Sequence, residues 1–212
     1  MQLFVFFLHC LLMEATYSYH QDQGGRGGIS LSPPFDIFNA SNRLPQPRNE
    51  LKLVVVGMGS QNYFCLNSST TPIFQDAEAE LFSMNPVIRT EMTTLHIFPH
   101  LMLERPGISK LFKHVGKHRF VDGKPTFYFF PPQHGFFQGV PREKVGAPAY
   151  AGAGRSPDNH GAIPWLRIES FGMGTYRQGY RLMTVGGMPP PTCEGRSNVF
   201  AIPYTAEYWF YG

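Results

Sequence analysis

The sequence predicts an all-β protein: a single antiparallel β-sandwich or flattened barrel behind a disordered N-terminal arm. Three observations carry this. Runs of aromatic and β-branched residues recur between Gly and Pro clusters, the pattern of short strands joined by turns. No stretch sustains a 3.6-residue apolar period long enough for a major helix. The chain has 212 residues, including 19 Phe and 10 Tyr, enough apolar material for one substantial core.

The elements follow in order. Leu3–Met13 is an apolar run of h-region length, followed by the small residues Thr16 and Ser18, and predicts a signal peptide over residues 1–18. It is too short to span a bilayer, so no membrane span is expected. Residues 19–48 are rich in Gly, Ser, Asn, Gln and Pro and predict a flexible arm. The secreted β domain then occupies residues 49–212. Leu51–Val56 and Gln61–Leu66 predict a hairpin turning at Gly57-Met58-Gly59. Glu78–Phe82 and Leu95–Leu103 suit strands or short helices. Lys113–Val121 and Thr126–Phe130 predict a second hairpin, turning at Asp122-Gly123-Lys124. Pro141–Gly161 reads as a long surface loop. The C-terminal run Tyr204–Tyr211 predicts a final strand. Its alternation puts Tyr208 and Phe210 on one face and Trp209 and Tyr211 on the other.

Export leaves two cysteines, Cys65 and Cys193, and an even count outside the cell predicts one disulfide between them. Asn39 and Asn67 head glycosylation sequons. The formal charge of +3 is scattered, with no basic–aromatic stripe, which argues against a nucleic-acid partner.

At this point the residues resemble a known family. Val56-Gly57, Gly59, Gln61, Tyr63 and Cys65, then Ala79–Phe82, Gly116–Phe120 and the whole 161–212 segment are similar to the secreted fungal and bacterial domain of unknown function 3455. The filamentous-fungal branch is the nearest likeness. The stretch 86–111 departs from that pattern and has the character of an insertion. The resemblance implies a secreted domain without an established activity. Some members carry a malate dehydrogenase label, and the residues test it. Gly57-Met58-Gly59 follows a strand, but position 62 is Asn and Asn62–Leu66 has strand character. A dinucleotide fingerprint needs a helix N-terminus there for the pyrophosphate, so that activity is rejected and no cofactor is expected.

Candidate catalytic residues are His118, Asp122 and Glu207, a histidine and two carboxylates available for acid–base chemistry. Glu78 and Glu80 share a strand face, a pattern that any exposed strand bearing two acids gives. Histidine pairs His96/His100 and His114/His118 have the four-residue spacing that grips metal on a helix. Pro99 and Gly116 oppose helices there, so no metal site is expected. Candidate binding residues are Trp165, Tyr208, Trp209 and Tyr211, whose rings suit stacking on sugars, with coverage of both strand faces as the structural alternative. The functional expectation is a non-enzymatic surface or ligand-binding domain whose partner is a cell-wall polysaccharide or another extracellular surface. A secreted hydrolase with a histidine–carboxylate site is the alternative. A pocket lined by His118 with Glu207 or Asp122 would favour the hydrolase, and an exposed aromatic strip would favour binding.

Overall fold

The structure is a computed structural model that describes residues 44–88, 95–131, 135–148, 151–152, 154, 159–172 and 174–212. The predicted signal peptide, most of the predicted arm and Asn39 lie outside the described residues. The described part is all-β. Eight antiparallel strands close into a barrel in sequence order. They are β1 (Leu51–Phe64), β2 (Ile73–Ser83), β3 (His114–Val121), β4 (Lys124–Phe129), β5 (Gly135–Val145), β6 (Trp165–Ser170), β7 (Gln178–Gly186) and β8 (Val199–Tyr211). The ring closes where β1 pairs with β8 from Leu51↔Tyr211 to Phe64↔Val199.

Strand β1 corrects the first predicted hairpin. It runs unbroken through Gly57-Met58-Gly59, and β2 begins only at Ile73. The reason is packing. A Cβ on Gly57 would lie 2.6 Å from the Tyr208 ring, so the glycine makes room for that ring inside the barrel. The strand continues past Gly59, so the helix start required by a dinucleotide site does not occur there. The second hairpin forms as expected. Asp122 and Gly123 both have positive φ (50° and 70°), the backbone of a two-residue type I′ turn between β3 and β4.

One further expectation shifts. Pro141–Val145 belongs to β5, because Pro141 sits at a bulge where pairing with β6 slips by a residue. As Pro99 predicts, no helix runs through both His96 and His100: α2 (Phe98–Glu104) begins after His96, with Pro99 in its first turn, where its missing N–H has no partner to lose. Among the described residues, the β2–β3 connection also holds a single turn, α1 (Asn85–Ile88), and a 3₁₀ segment (Pro106–Leu111).

Each face of the barrel wall has its own core. Inside, Leu53, Val55, Leu81, Phe127, Phe137 and Phe210 interdigitate, with ring centroids of Phe127, Phe129 and Phe137 each within 5.0–5.3 Å of Phe210. Outside, Val54, Val56, Leu182, Trp209 and Tyr211 are covered by Leu44, Met84, Leu95 and Met102. Both faces of β8 are therefore buried, with the alternation expected of Tyr208–Tyr211. Residues 44–48 are also docked: Leu44 is buried, the Tyr180 hydroxyl donates to Pro45 O at 2.9 Å, and Arg48 N donates to Gln178 Oε1 at 2.7 Å.

Cys65 and Cys193 form the expected disulfide, with Cα atoms 5.9 Å apart. The bond links the β1–β2 and β7–β8 connections. It reinforces strands β1 and β8, which are already hydrogen-bonded neighbours.

Candidate functional site

The outer face of β8 carries an acid in the midst of its aromatics. Glu207 stands opposite Val56 on β1 and Leu182 on β7, and its side chain is fully buried. A carboxylate removed from water requires hydrogen-bonding partners. It has two. Trp209 Nε1 donates to Oε2 at 2.9 Å, and His96 Nδ1 lies 2.9 Å from Oε1. A carboxylate oxygen accepts, so the His96 proton sits on Nδ1 and the ring is fixed with Nε2 directed away from Glu207.

Helix α2 holds this arrangement in place. Thr205, on the same face of β8, donates its hydroxyl to Pro99 O at 2.5 Å and pins the start of the helix to the sheet. His96 lies just before α2, with its side chain 10% exposed. Next to it is a cavity of about 280 Å³, lined by His96, His100, Leu101, Trp165, Met183 and Val185 together with Ile97, Ala151, Gly152 and Thr184. Met183 reaches the cavity through a distorted strand. Its φ is +47°, and the β7–β8 register slips between Leu182 and Val185. Bulges of this kind re-aim side chains beside binding sites. The lining is largely apolar. Its one hydroxyl, on Thr184, donates to Ile163 O at 2.6 Å. The half-exposed His100 pairs with Glu104 at 3.1 Å on the helix surface.

The predicted residues are dispersed. Glu207 is at the groove, but His118 is on the opposite side of the barrel wall and Asp122 is exposed in the β3–β4 turn. These three do not converge. His118 is buried inside, its ring stacked on Phe127 at 4.1 Å, and its Nδ1 donates to Thr126 O at 3.1 Å. Burial lowers its pKa to about 4, against the smaller upward effect of that hydrogen bond. Of the aromatic candidates, Trp165 lines the cavity and Trp209 holds Glu207 from behind it. Tyr208 faces the interior, where its hydroxyl meets that of Tyr204 at 2.9 Å. Tyr211 packs edge-on against Tyr180 on the outside. None of the four is more than 4% exposed. Glu78 and Glu80 lie on β2, where Glu80 pairs with Lys117 and His114. No group of three or more metal-ligating side chains occurs among the described residues.

The pairing of His96 with Glu207 is not evident from local sequence, because the two are 111 residues apart. A signal did exist. An acid alternating onto the same face as Trp209, on a strand covered on both sides, must find a partner from the element that covers it.

Among the described residues no helix is long and apolar enough to cross a membrane. No curated protein and no solved structure matches the chain. The profile of one family, described as protein of unknown function (DUF3455), matches residues 45–212, and the chain belongs to that family.

Proposed function

We propose that this is an extracellular, non-enzymatic binding domain that holds a small ligand in the groove between α2 and strands β6 and β7. The Cys65–Cys193 disulfide and the exposure of the Asn67 sequon support the extracellular setting. The observation that carries the binding reading is the buried Glu207, which fixes the His96 ring at the edge of an apolar cavity containing Trp165. Ligand sites are concave and mostly apolar, with a few oriented polar groups.

At about 280 Å³ the cavity has room for one or two rings. Its apolar lining suits a flat ring against Trp165, Met183 and Leu101, and His96 Nε2 suits one hydroxyl. A phenol has this chemistry. A saccharide ring presents many hydroxyls, and the lining offers two imidazoles and an already engaged threonine to meet them. A cell-wall polysaccharide therefore fits the groove less well than a phenolic compound does.

The chain has two tryptophans, and both belong to this arrangement, so intrinsic fluorescence reports on it directly. Titration with p-cresol should change the emission saturably, and His96→Ala should weaken the binding by about tenfold, the equivalent of one buried hydrogen bond. Saturation by methyl β-glucoside or cellobiose but not by p-cresol would move the reading to carbohydrate. No saturation with any of them would remove it.

A hydrolytic reading draws on the same Glu207–His96 pair, since a carboxylate-oriented imidazole is a general-base arrangement. With Thr184 engaged, such a base would have to act on water. Turnover of p-nitrophenyl acetate that disappears in His96→Gln would favour that reading.

A further inference from the structure

The barrel interior is divided along its length. One part is packed with Leu53, Val55, Phe129, Phe137 and Phe210. The part nearer Gly187 is polar and carries a cation. Arg181 stands opposite Tyr208 on β8 and Leu166 on β6, both directed inward, so Arg181 faces the interior too. Its Nε and Nη2 donate to Pro164 O at 3.2 and 2.8 Å, and the Tyr208 hydroxyl is a further partner. No carboxylate pairs with it among the described residues. A guanidinium has five N–H groups, so donors are left over.

Its surroundings add donors and no negative charge. Tyr204 and Tyr208 share one hydrogen bond between their hydroxyls, and burial raises the pKa of both, which keeps them neutral. His118 is also kept neutral by burial. Gln61 projects inward two residues beyond Gly59, the partner of Tyr204, and is 3% exposed. Its Nε2 makes no hydrogen bond of ordinary geometry and has only a loose one toward the Tyr204 hydroxyl. A buried donor with only a loose acceptor and an inward cation without an acid are each unfavourable. They occur in the same half of one barrel, and Arg181 is only half-buried, so solvent reaches this region.

We infer that the polar half of the barrel interior is an anion site, in which Arg181 and Gln61 hold the carboxylate of a small organic acid. One acceptor group would answer both deficits, and a planar carboxylate matches the edge of a guanidinium. A phosphate dianion would need a second cation, and the neutral His118 does not supply one.

Calorimetry and thermal shift with sodium acetate and sodium formate, with chloride holding ionic strength constant, test this on the intact chain. Saturable binding with a rise in Tm is expected for both, and inorganic phosphate should give none. Arg181→Gln should abolish binding. Gln61→Leu removes the loosely paired donor, so the unliganded Tm should hold or rise while acetate binding weakens about tenfold. A purely structural Gln61 would leave acetate affinity unchanged. Should Arg181→Gln not fold, Gln61→Leu decides alone. Absence of acetate binding, unchanged affinity in Gln61→Leu, or phosphate binding as tight as acetate would overturn the assignment.

Discussion

Replacing His118 with Phe should remove a defined part of the protein's acid sensitivity. The imidazole is fully enclosed, stacked on Phe127, and its pKa falls from 6.5 to about 4, chiefly because burial penalises the cation. The folded value lies below the unfolded one, so the unfolded chain takes up this proton first. The contribution to stability is complete above pH 6.5 and is lost as the pH falls through about 4. The gap corresponds to about 3 kcal/mol when the loss is complete, at roughly 1.4 kcal/mol per pH unit. Phe keeps the volume and the ring contact but not the Nδ1–H that meets Thr126 O, so the variant should lose about 1 kcal/mol at pH 7. Urea unfolding followed by tryptophan fluorescence at pH 7 and pH 4.5 gives the four stabilities needed. Carboxylates such as Glu143 and Glu169, whose pKa values are lowered by their hydrogen bonds to Arg167, contribute equally to both proteins and cancel. The wild type should lose about 2–3 kcal/mol more than the variant between the two pH values. Equal losses would mean that His118 is solvated or already protonated, and would refute the enclosed interior.

Three other perturbations follow from the same packing. Gly57→Ala puts a methyl group 2.6 Å from the Tyr208 ring and should cost about 1–3 kcal/mol in urea unfolding. Cys65→Ser with Cys193→Ser removes a bridge across a sequence separation of 128, worth about 5 kcal/mol in the chain-entropy view, while the β1–β8 ladder survives; far-UV circular dichroism should be retained as the urea midpoint falls. Glu207→Gln keeps an acceptor for Trp209 but sets an amide N–H against His96 Nδ1, so the ring should move its proton to Nε2, visible in the imidazole ¹⁵N shifts, with a stability loss of about 1–3 kcal/mol.

Local features of this chain were legible where a few neighbouring residues decide the outcome. Asp122-Gly123 specifies its own turn, and the Tyr208–Tyr211 alternation holds because both faces of β8 are covered. The disulfide followed from the cysteine count and the expectation of export. Features decided by distant partners were not legible. Gly57 and Gly59 carry the signature of a turn, but they lie in a continuous strand because Tyr208, far along the chain, needs the space beside Gly57. Pro141 looks like a breaker, yet it sits at a bulge within β5. The site suffered most from this limit. His118 drew attention through its local pattern, while the histidine beside Glu207 is His96, brought there by the fold of α2 against β8. Arg181 lies in the 161–212 segment that carries the family resemblance, but no chemical motif marks it; its interest comes from the side of the barrel wall it faces.

The groove is the central claim, and two-dimensional NMR during a p-cresol titration tests it most directly. The account predicts that the Trp165 indole N–H, the Met183 methyl and the His96 ring signals shift together along one saturation curve, while His118, sealed inside the barrel, does not respond. Shifts that cluster away from those residues, or signals that stay unmoved while p-cresol binds, would contradict it.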